Sequence, residues 1–250
     1  MIPFFQWTHF SLFSIPIQVW GLMVALGFLI GAKVAESHLK RLKLEEKVVG
    51  EMLGWMALSA IIFSRLFHVL FYEPESYLAQ PAEIFRIWEG GMSIYGGILA
   101  ATVTAVLMLR RRKLDVWKYA DAIIFGLPIG LAIGRLGCFF IHDHPGTATD
   151  FFLGIKYPDG TTRHDLGLYE SLSSLALFLF FLVLYKKRVQ QGWYLATFAL
   201  WYGATRFFMD FLRVIDTRYL GLTPAQYLSI ALFIFGIVCA FRIRTSSRSR

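Results

Sequence analysis

The chain has 250 residues, of which 56% are hydrophobic and only 17% charged, with a formal net charge of +8. So apolar a composition excludes an ordinary soluble domain and a disordered or low-complexity chain alike. No interleaved aromatic and basic repeat accompanies the positive charge, so it points away from nucleic acid and towards anionic lipid at a membrane face.

A helix needs roughly 20 apolar residues to cross about 30 Å of hydrocarbon. Such windows run from Ile17 to Glu36, Val48 to Phe71, Met92 to Leu109, Tyr119 to Phe140, Leu168 to Tyr185, Trp193 to Leu212 and Pro224 to Phe241. They predict an all-α polytopic membrane protein with seven transmembrane helices in one integral domain spanning residues 1–250. No basic residue precedes Lys33 and the first apolar run is of spanning length, so it reads as a retained helix, not a cleavable signal. Its Gly27 and Gly31 form a weak close-packing pair. Basic residues crowd the connections after the first span (Lys40, Arg41, Lys43, Lys47), the third (Arg110, Arg111, Arg112, Lys113, Lys118) and the fifth (Lys186, Lys187, Arg188), and the tail (Arg242, Arg244, Arg248, Arg250). The other connections hold only Arg86, Lys156, Arg163, Arg213 and Arg218. Because short cytoplasmic loops retain Lys and Arg, the N-terminus is expected outside and the C-terminus in the cytoplasm.

Charges inside the spans mark a candidate site. The fourth span contains GLPIGLAIGRLGCFF, Gly126 to Phe140, where Gly126, Gly130 and Gly134 share one helix face and Arg135 follows. A guanidinium in hydrocarbon costs at least about 2.5 to 3.5 kcal/mol, so it needs a partner or an anionic ligand. Counted from Tyr119 along a straight helix, Arg135 lies roughly 24 Å from the cytoplasmic end, in the outer-leaflet half. Arg65 and Arg206 reach comparable depth in the second and sixth spans. Asp210 follows Arg206 by one turn, Glu170 opens the fifth span, and Ser93 and Tyr95 begin the third. Three cations against two nearby acids leave charge for an incoming anion, and a phospholipid phosphate suits arginine's bidentate donors. Asp121, near Lys118, reads as a carboxylate at the start of its own helix.

The longest connection, residues 141–167, is expected to form a small extracytoplasmic cap between the fourth and fifth helices. Phe151 to Tyr157 and the Thr161, Thr162 region flank a Pro158-Asp159-Gly160 turn and suggest a hairpin. His142, Asp143 and His144 read as a solvated or general-base loop more readily than as a metal centre, because adjacent residues rarely face one ion. Cys138 and Cys239 lie near opposite membrane faces and are expected to be small buried apolar groups, not a disulfide.

WEGGMSIYGG (Trp88 to Gly97), GRLGCFF (Gly134 to Phe140), HDLGLYE (His164 to Glu170) and YGATRFFMDFLR (Tyr202 to Arg213) resemble, in order and spacing, the motifs of the phosphatidylglycerol:prolipoprotein diacylglyceryl transferase family. WGLMVALGF, SRLFHVLFY and ADAIIFGLP extend the resemblance over most of the chain. It implies a seven-span enzyme of the bacterial cytoplasmic membrane, its site facing the outer leaflet, that needs no metal or nucleotide cofactor. Such an enzyme moves diacylglycerol from phosphatidylglycerol to a lipobox cysteine thiol of a prolipoprotein and releases glycerol 1-phosphate. By resemblance, Arg135 and Arg206 are the arginines that hold the headgroup and assist catalysis, with Glu170 and Asp210 orienting them; their shared depth adds Ser93 and Arg65 to the expected lipid site. The chain departs from the family pattern in carrying Tyr95 for histidine, Cys138 and Ile141 for asparagines, Trp20 for tyrosine and Asp210 for glutamate. HDLGLYE also replaces HPxQLYE. Tyr95 is then the candidate catalytic hydroxyl, and His142 or His144 the substitute base. The alternative reading is a divergent relative that binds outer-leaflet anionic phospholipid without catalysis or with an altered substrate.

Overall fold

The computed structural model describes residues 1–12, 15–87, 91–187, 189–214, 216 and 218–248. Trp88, Glu89 and Gly90 of the third-span motif, and Arg188 and Arg250 of the basic segments, lie outside the described residues. The helices are α1 (Val19–Arg41), α2 (Lys47–Phe71), α3 (Pro74–Ala79), α4 (Ile94–Arg111), α5 (Val116–Ile124), α6 (Leu127–Ile141), α7 (Leu166–Leu184), α8 (Trp193–Met209) and α9 (Pro224–Arg248). Among the described residues, four helices, α1, α2, α7 and α9, are long and apolar enough to cross a membrane, and α5 with α6 adds a fifth if that bent pair is one span. Helices α4 and α8 have 18 and 17 residues, the short end of the spanning range. The protein is thus a mostly helical, polytopic membrane protein.

The residues gather into two compact units, Met1–Leu42 with Ala120–Arg250, and Lys43–Tyr119. In the first, α1 lies along α6 through facing glycines. A Cβ on Gly27 would stand 2.5 Å from the Gly130 carbonyl oxygen, and one on Gly31 3.0 Å from that of Gly126. Backbones that close exclude any side chain between them, which is the use small residues have in helix pairs without a hydrophobic driving force. The two weak glycine signals of the sequence are therefore two halves of one contact. Gly134 belongs to neither half, since a Cβ there would meet open space. Next to this contact, Phe125, Leu177, Phe181, Tyr194 and Phe198 form an apolar core, with His38 stacked on Phe125 at 4.2 Å.

Two expectations change here. The fourth span is not one straight helix: α5 and α6 meet at 48°. Pro128 sits in the first turn of α6 without an amide hydrogen for the ladder, and the Gly126 amide reaches only to Ile123, three residues back, at 3.1 Å. A depth counted straight from Tyr119 therefore does not apply to Arg135. Asp121 does not cap its own helix; its carboxylate accepts the Leu195 amide at 2.8 Å, at the N-terminus of α8. Smaller differences lie at the ends: Ile17 is in a strand, and the sixth span closes as a 3-10 turn, Asp210–Leu212.

The fold is not purely helical either. Strands β1 (Ile2–Pro3), β2 (His9–Leu12), β3 (Ile15–Gln18), β4 (Pro145–Ala148), β5 (Ile155–Lys156) and β6 (Thr162–Asp165) form a β2-β3 pair and a four-stranded sheet ordered β1-β5-β6-β4. The expected hairpin is β5-β6, shorter than read. Its turn is closed by the Tyr157 amide on the Thr161 carbonyl at 2.8 Å, with Gly160 at φ +81°, while Phe151 starts a separate turn. The parallel partner of β5 is β1, from the other end of the sequence.

In the second unit α2 packs on α4. A Cβ on Gly97 would come within 2.5 Å of the Ser64 hydroxyl. Arg112 pairs with Glu45 at 3.0 Å and with Glu51.

Replacing Gly27 by Ala is expected to destabilise the protein by roughly 1–3 kcal/mol, the usual cost of overpacking. Gly54→Ala, whose Cβ meets nothing within 4 Å, is expected to be neutral or stabilising. Thermal unfolding in detergent compares the two; equal midpoints would refute the close contact.

Candidate active site

The first unit brings together charged groups from α6, α7 and α8. Asp165 fixes the start of α7 by accepting the Leu168 amide at 2.9 Å, which sets Glu170 in the next turn. Glu170 Oε2 lies 2.8 Å from Arg135 Nε on α6, and its other oxygen accepts from Arg206 Nη1 on α8. One carboxylate thus holds two arginines of separate helices. Arg206 Nη2 continues to Asp210 Oδ1 at 3.1 Å, and the Tyr202 hydroxyl hydrogen-bonds Arg135.

Asp210 is itself built in. It lies 3.5 Å from Arg213 Nε, which in turn places Nη1 2.6 Å from Asp216. Its Oδ2 accepts the Thr223 hydroxyl. Thr223 and Gln226 form a capping box at the start of α9: the Gln226 amide donates to Thr223 Oγ1 at 3.1 Å and the Thr223 amide to Gln226 Oε1 at 3.0 Å. The sequence reading missed Arg213, Asp216, Thr223 and Gln226. Signals existed in the Asp210, Arg213, Asp216 spacing of three and in the T-x-x-Q pattern before an apolar run.

Burial orders this network. The acids lie deepest, with side chains 4% exposed for Glu170 and 0% for Asp210, against 11% for Arg206 and 23% for Arg135. Among the six groups of this network, Arg135, Arg206, Arg213, Glu170, Asp210 and Asp216, cations and acids balance. Glu170 and Asp210 lie beneath the guanidiniums of Arg135 and Arg206, whereas Asp216, 32% exposed, lies outside Arg213.

Ser93, Tyr95 and Arg65 belong to the second unit. Ser93 is buried and its amide donates to the Ser64 carbonyl at 2.9 Å; Tyr95 is partly buried in the first turn of α4. Arg65, 5% exposed, donates to the carbonyls of Ile84 and Gly91 at 3.0 Å each, and to Glu83 and Arg86, and lies over the Tyr77 ring. These bonds make it the clamp on the segment leading into the third-span motif.

The two loop histidines part company. His142 takes a left-handed conformation at the end of α6, φ 51°, and its buried Nδ1 lies 2.7 Å from Asp165 Oδ2. Phe4 stacks on it at 4.9 Å. His144 stays on the open side, hydrogen-bonded to Asp143. Burial works against its cation, but the hydrogen bonds with Asp143 and Cys138 outweigh that and lift its pKa to about 9, against a push downward from Arg213. Nearby, burial raises the Tyr157 hydroxyl to about 12.

The family model described as prolipoprotein diacylglyceryl transferase matches residues 8–242. A phosphatidylglycerol–prolipoprotein diacylglyceryl transferase of Finegoldia magna is 33% identical over 237 residues, covering 94% of this chain and 94% of that protein. Proteins of the same name from Staphylococcus saprophyticus and Bacillus cereus are 30% and 31% identical, over 92% and 95% of this chain and 86% and 92% of their own lengths. A buried carboxylate holding the arginines of GRLG and YGATR therefore sits in a chain that matches these proteins almost end to end, and the chain belongs to the prolipoprotein diacylglyceryl transferase family.

Proposed function

We propose that this protein transfers the diacylglyceryl group of phosphatidylglycerol to the cysteine thiol of a prolipoprotein lipobox, forming a thioether and releasing glycerol 1-phosphate. The observation that carries this reading is the pair Arg135 and Arg206 gathered on Glu170 within the matched region. The thiolate attacks the glycerol carbon that bears the phosphate ester. As the carbon–oxygen bond breaks, its electron pair moves onto the phosphate oxygen and the leaving group gains a full negative charge. Guanidiniums already fixed from below meet that charge without reorganising, and in a site poor in water they count for more. Glu170 and Asp210 orient the arginines, and Arg65 shapes the loop before α4. The resemblance, and no geometry, carries the proposal that Tyr95 and Ser93 supply hydroxyl donors for the lipid phosphate.

The alternation of basic connections supports seven spans with the N-terminus outside, the C-terminus in the cytoplasm and the site towards the outer leaflet of the bacterial cytoplasmic membrane. That placement lets a membrane-tethered peptide and phosphatidylglycerol meet at one surface.

Phosphatidylglycerol vesicles, a lipobox peptide and the protein, read by mass spectrometry, test the reaction. The parent is expected to yield a diacylglyceryl peptide, and Arg135→Ala and Arg206→Ala to lose about 10²–10³ in rate, as for loss of a charge-stabilising donor; a folded parent giving no adduct would sink the reading. Tyr95→Phe is expected to slow the reaction about tenfold through a lost hydrogen bond to phosphate, and unchanged rates would exclude that role. Glu170→Gln leaves Arg135 without its acid, Arg206 keeping Asp210, and is expected to lower unfolding stability by about 3 kcal/mol. A midpoint equal to the parent's would show that the arginines do not depend on it.

A further inference from the structure

The arginine site leaves one step of the transfer without a residue: the lipobox thiol must ionise before it attacks. A free thiol has a pKa near 8.5, so only about 3% of it is thiolate at pH 7. Guanidiniums accept no proton, and Glu170 and Asp210 are committed to the arginines. Of the two histidines that the sequence offers for this step, the structure leaves one.

His142 is closed to a peptide. Its side chain is 1% exposed, its Nδ1 lies 2.7 Å from Asp165 Oδ2, and Phe4 stacks on the ring. The left-handed backbone at this residue reverses the chain, so that Asp143 and His144 fold back over the last turns of α6. There the Cys138 sulfur, an Asp143 oxygen and a His144 nitrogen fall within 4.8 Å of one another. The His144 side chain stays open, 29% exposed. Its backbone is held on both sides, because Pro145 pairs with Asp165 across the sheet, Gly146 bridges to Arg213, and the His144 carbonyl accepts the Leu166 amide at 3.4 Å.

Three groups act on this imidazole. Asp143, on the same turn, accepts a hydrogen bond from Nδ1; the Cys138 sulfur, on α6, is a weaker acceptor; and Arg213, after α8, repels its charge. Arg213 is itself occupied by Asp210 and Asp216, whereas Asp143 is in direct contact. The balance lifts the pKa to about 9, and the ring is a cation below that pH. Such a cation is no base, yet it ionises a thiol by pairing with the thiolate, as imidazolium does beside reactive cysteines. Its place suits a displacement as well, since the attacking sulfur and the leaving oxygen stand on opposite sides of one carbon. Cys138 follows Arg135 by three residues, a rise of about 4.5 Å along α6, so Arg135 and the imidazolium over Cys138 offer one cation to each side.

We propose that His144, oriented by Asp143, is a catalytic residue whose imidazolium receives the lipobox cysteine as a thiolate. This rests on the transferase reading of the arginine site. On binding, the thiol proton passes to water. In the transfer the sulfur–carbon bond forms, the carbon–oxygen bond to phosphate breaks, and its electron pair leaves with glycerol 1-phosphate. The thioether is neutral, so it no longer pairs with His144 and the modified peptide departs.

The full chain in phosphatidylglycerol nanodiscs, given a lipobox peptide or its selenocysteine counterpart over a range of pH, tests this, because a selenol is ionised at neutral pH unaided. His144→Gln is expected to slow transfer to the cysteine peptide about tenfold at pH 7, the scarcity of free thiolate setting a ceiling of about thirtyfold. The gap is expected to close as the pH passes 8.5 and then about 9, where the free thiol ionises and His144 loses its own proton. With the selenocysteine peptide, His144→Gln is expected to match the parent while Arg135→Ala stays slow. Asp143→Asn is expected to show the same pattern more weakly. Unfolding midpoints near the parent's show that the variants fold, and should His144→Gln fail to fold, Asp143→Asn carries the test. A His144→Gln rate equal to the parent's with cysteine at pH 7, or equally slow with both peptides, overturns this proposal alone. A folded parent that modifies neither peptide sinks the transferase reading, and this proposal with it.

Discussion

One buried carboxylate ties the first of the two units together. Glu170 holds Arg135 and Arg206, and through Arg206 the chain of contacts runs to Asp210, Thr223 and the cap of α9. In a hydrocarbon setting each of these charges alone would oppose insertion by a few kcal/mol. Paired, they become tolerable, and the pairing fixes the three helices that supply them to one register. Under the proposed reaction, the same groups that neutralise each other for folding meet the substrate, an incoming phosphate competing for guanidiniums already aimed and already desolvated.

That arrangement presupposes the glycine contact between α1 and α6. Gly27 and Gly31 approach Gly126 and Gly130 so closely that no side chain intervenes, and Gly137 similarly meets Trp20 and Met23. With one face of α6 sealed against α1, Arg135 and Cys138 are left for other faces. Gly167 does comparable work at the joint with α7, where a Cβ would meet the Phe139 amide nitrogen at 2.6 Å. Asp165 then serves two helices at once, one oxygen capping α7 and the other holding His142 at the end of α6. The site is positioned by backbone proximity and doubly used caps more than by bulky packing.

How much of this was written in the residues depends on the range of the interaction. Long apolar helices such as α2 and α9 announce themselves by composition, and Arg135, Glu170, Arg206 and Asp210 stand out because charge is rare inside spans. Motif order carried the family. The 48° bend was half visible in Gly126 and Pro128, but a proline near a glycine is equally compatible with a straight span until a neighbouring helix takes up the glycine face. The β1-β5 pairing was invisible, since strands of two residues have no periodicity and their partners lie far apart in sequence. Reading residues 142–144 as a block hid the convergence of Cys138, Asp143 and His144, because it is the left-handed residue at 142 that removes one histidine and returns the others to the helix. Arg65 shows another limit, since no spacing in the sequence tells that a span arginine donates to the backbone carbonyls of a following loop.

The borrowed edge strand also sets an order of assembly. The parallel partners of Ile2 and Pro3, Ile155 and Lys156, are made some 150 residues after them. At about 5–20 residues per second, the first strand waits on the order of 8 to 30 s for the sheet it will border. Until then Phe4 has no His142 to stack on, and the turn over Cys138 lacks its outer wall. Closure of the cap therefore follows synthesis of residue 156.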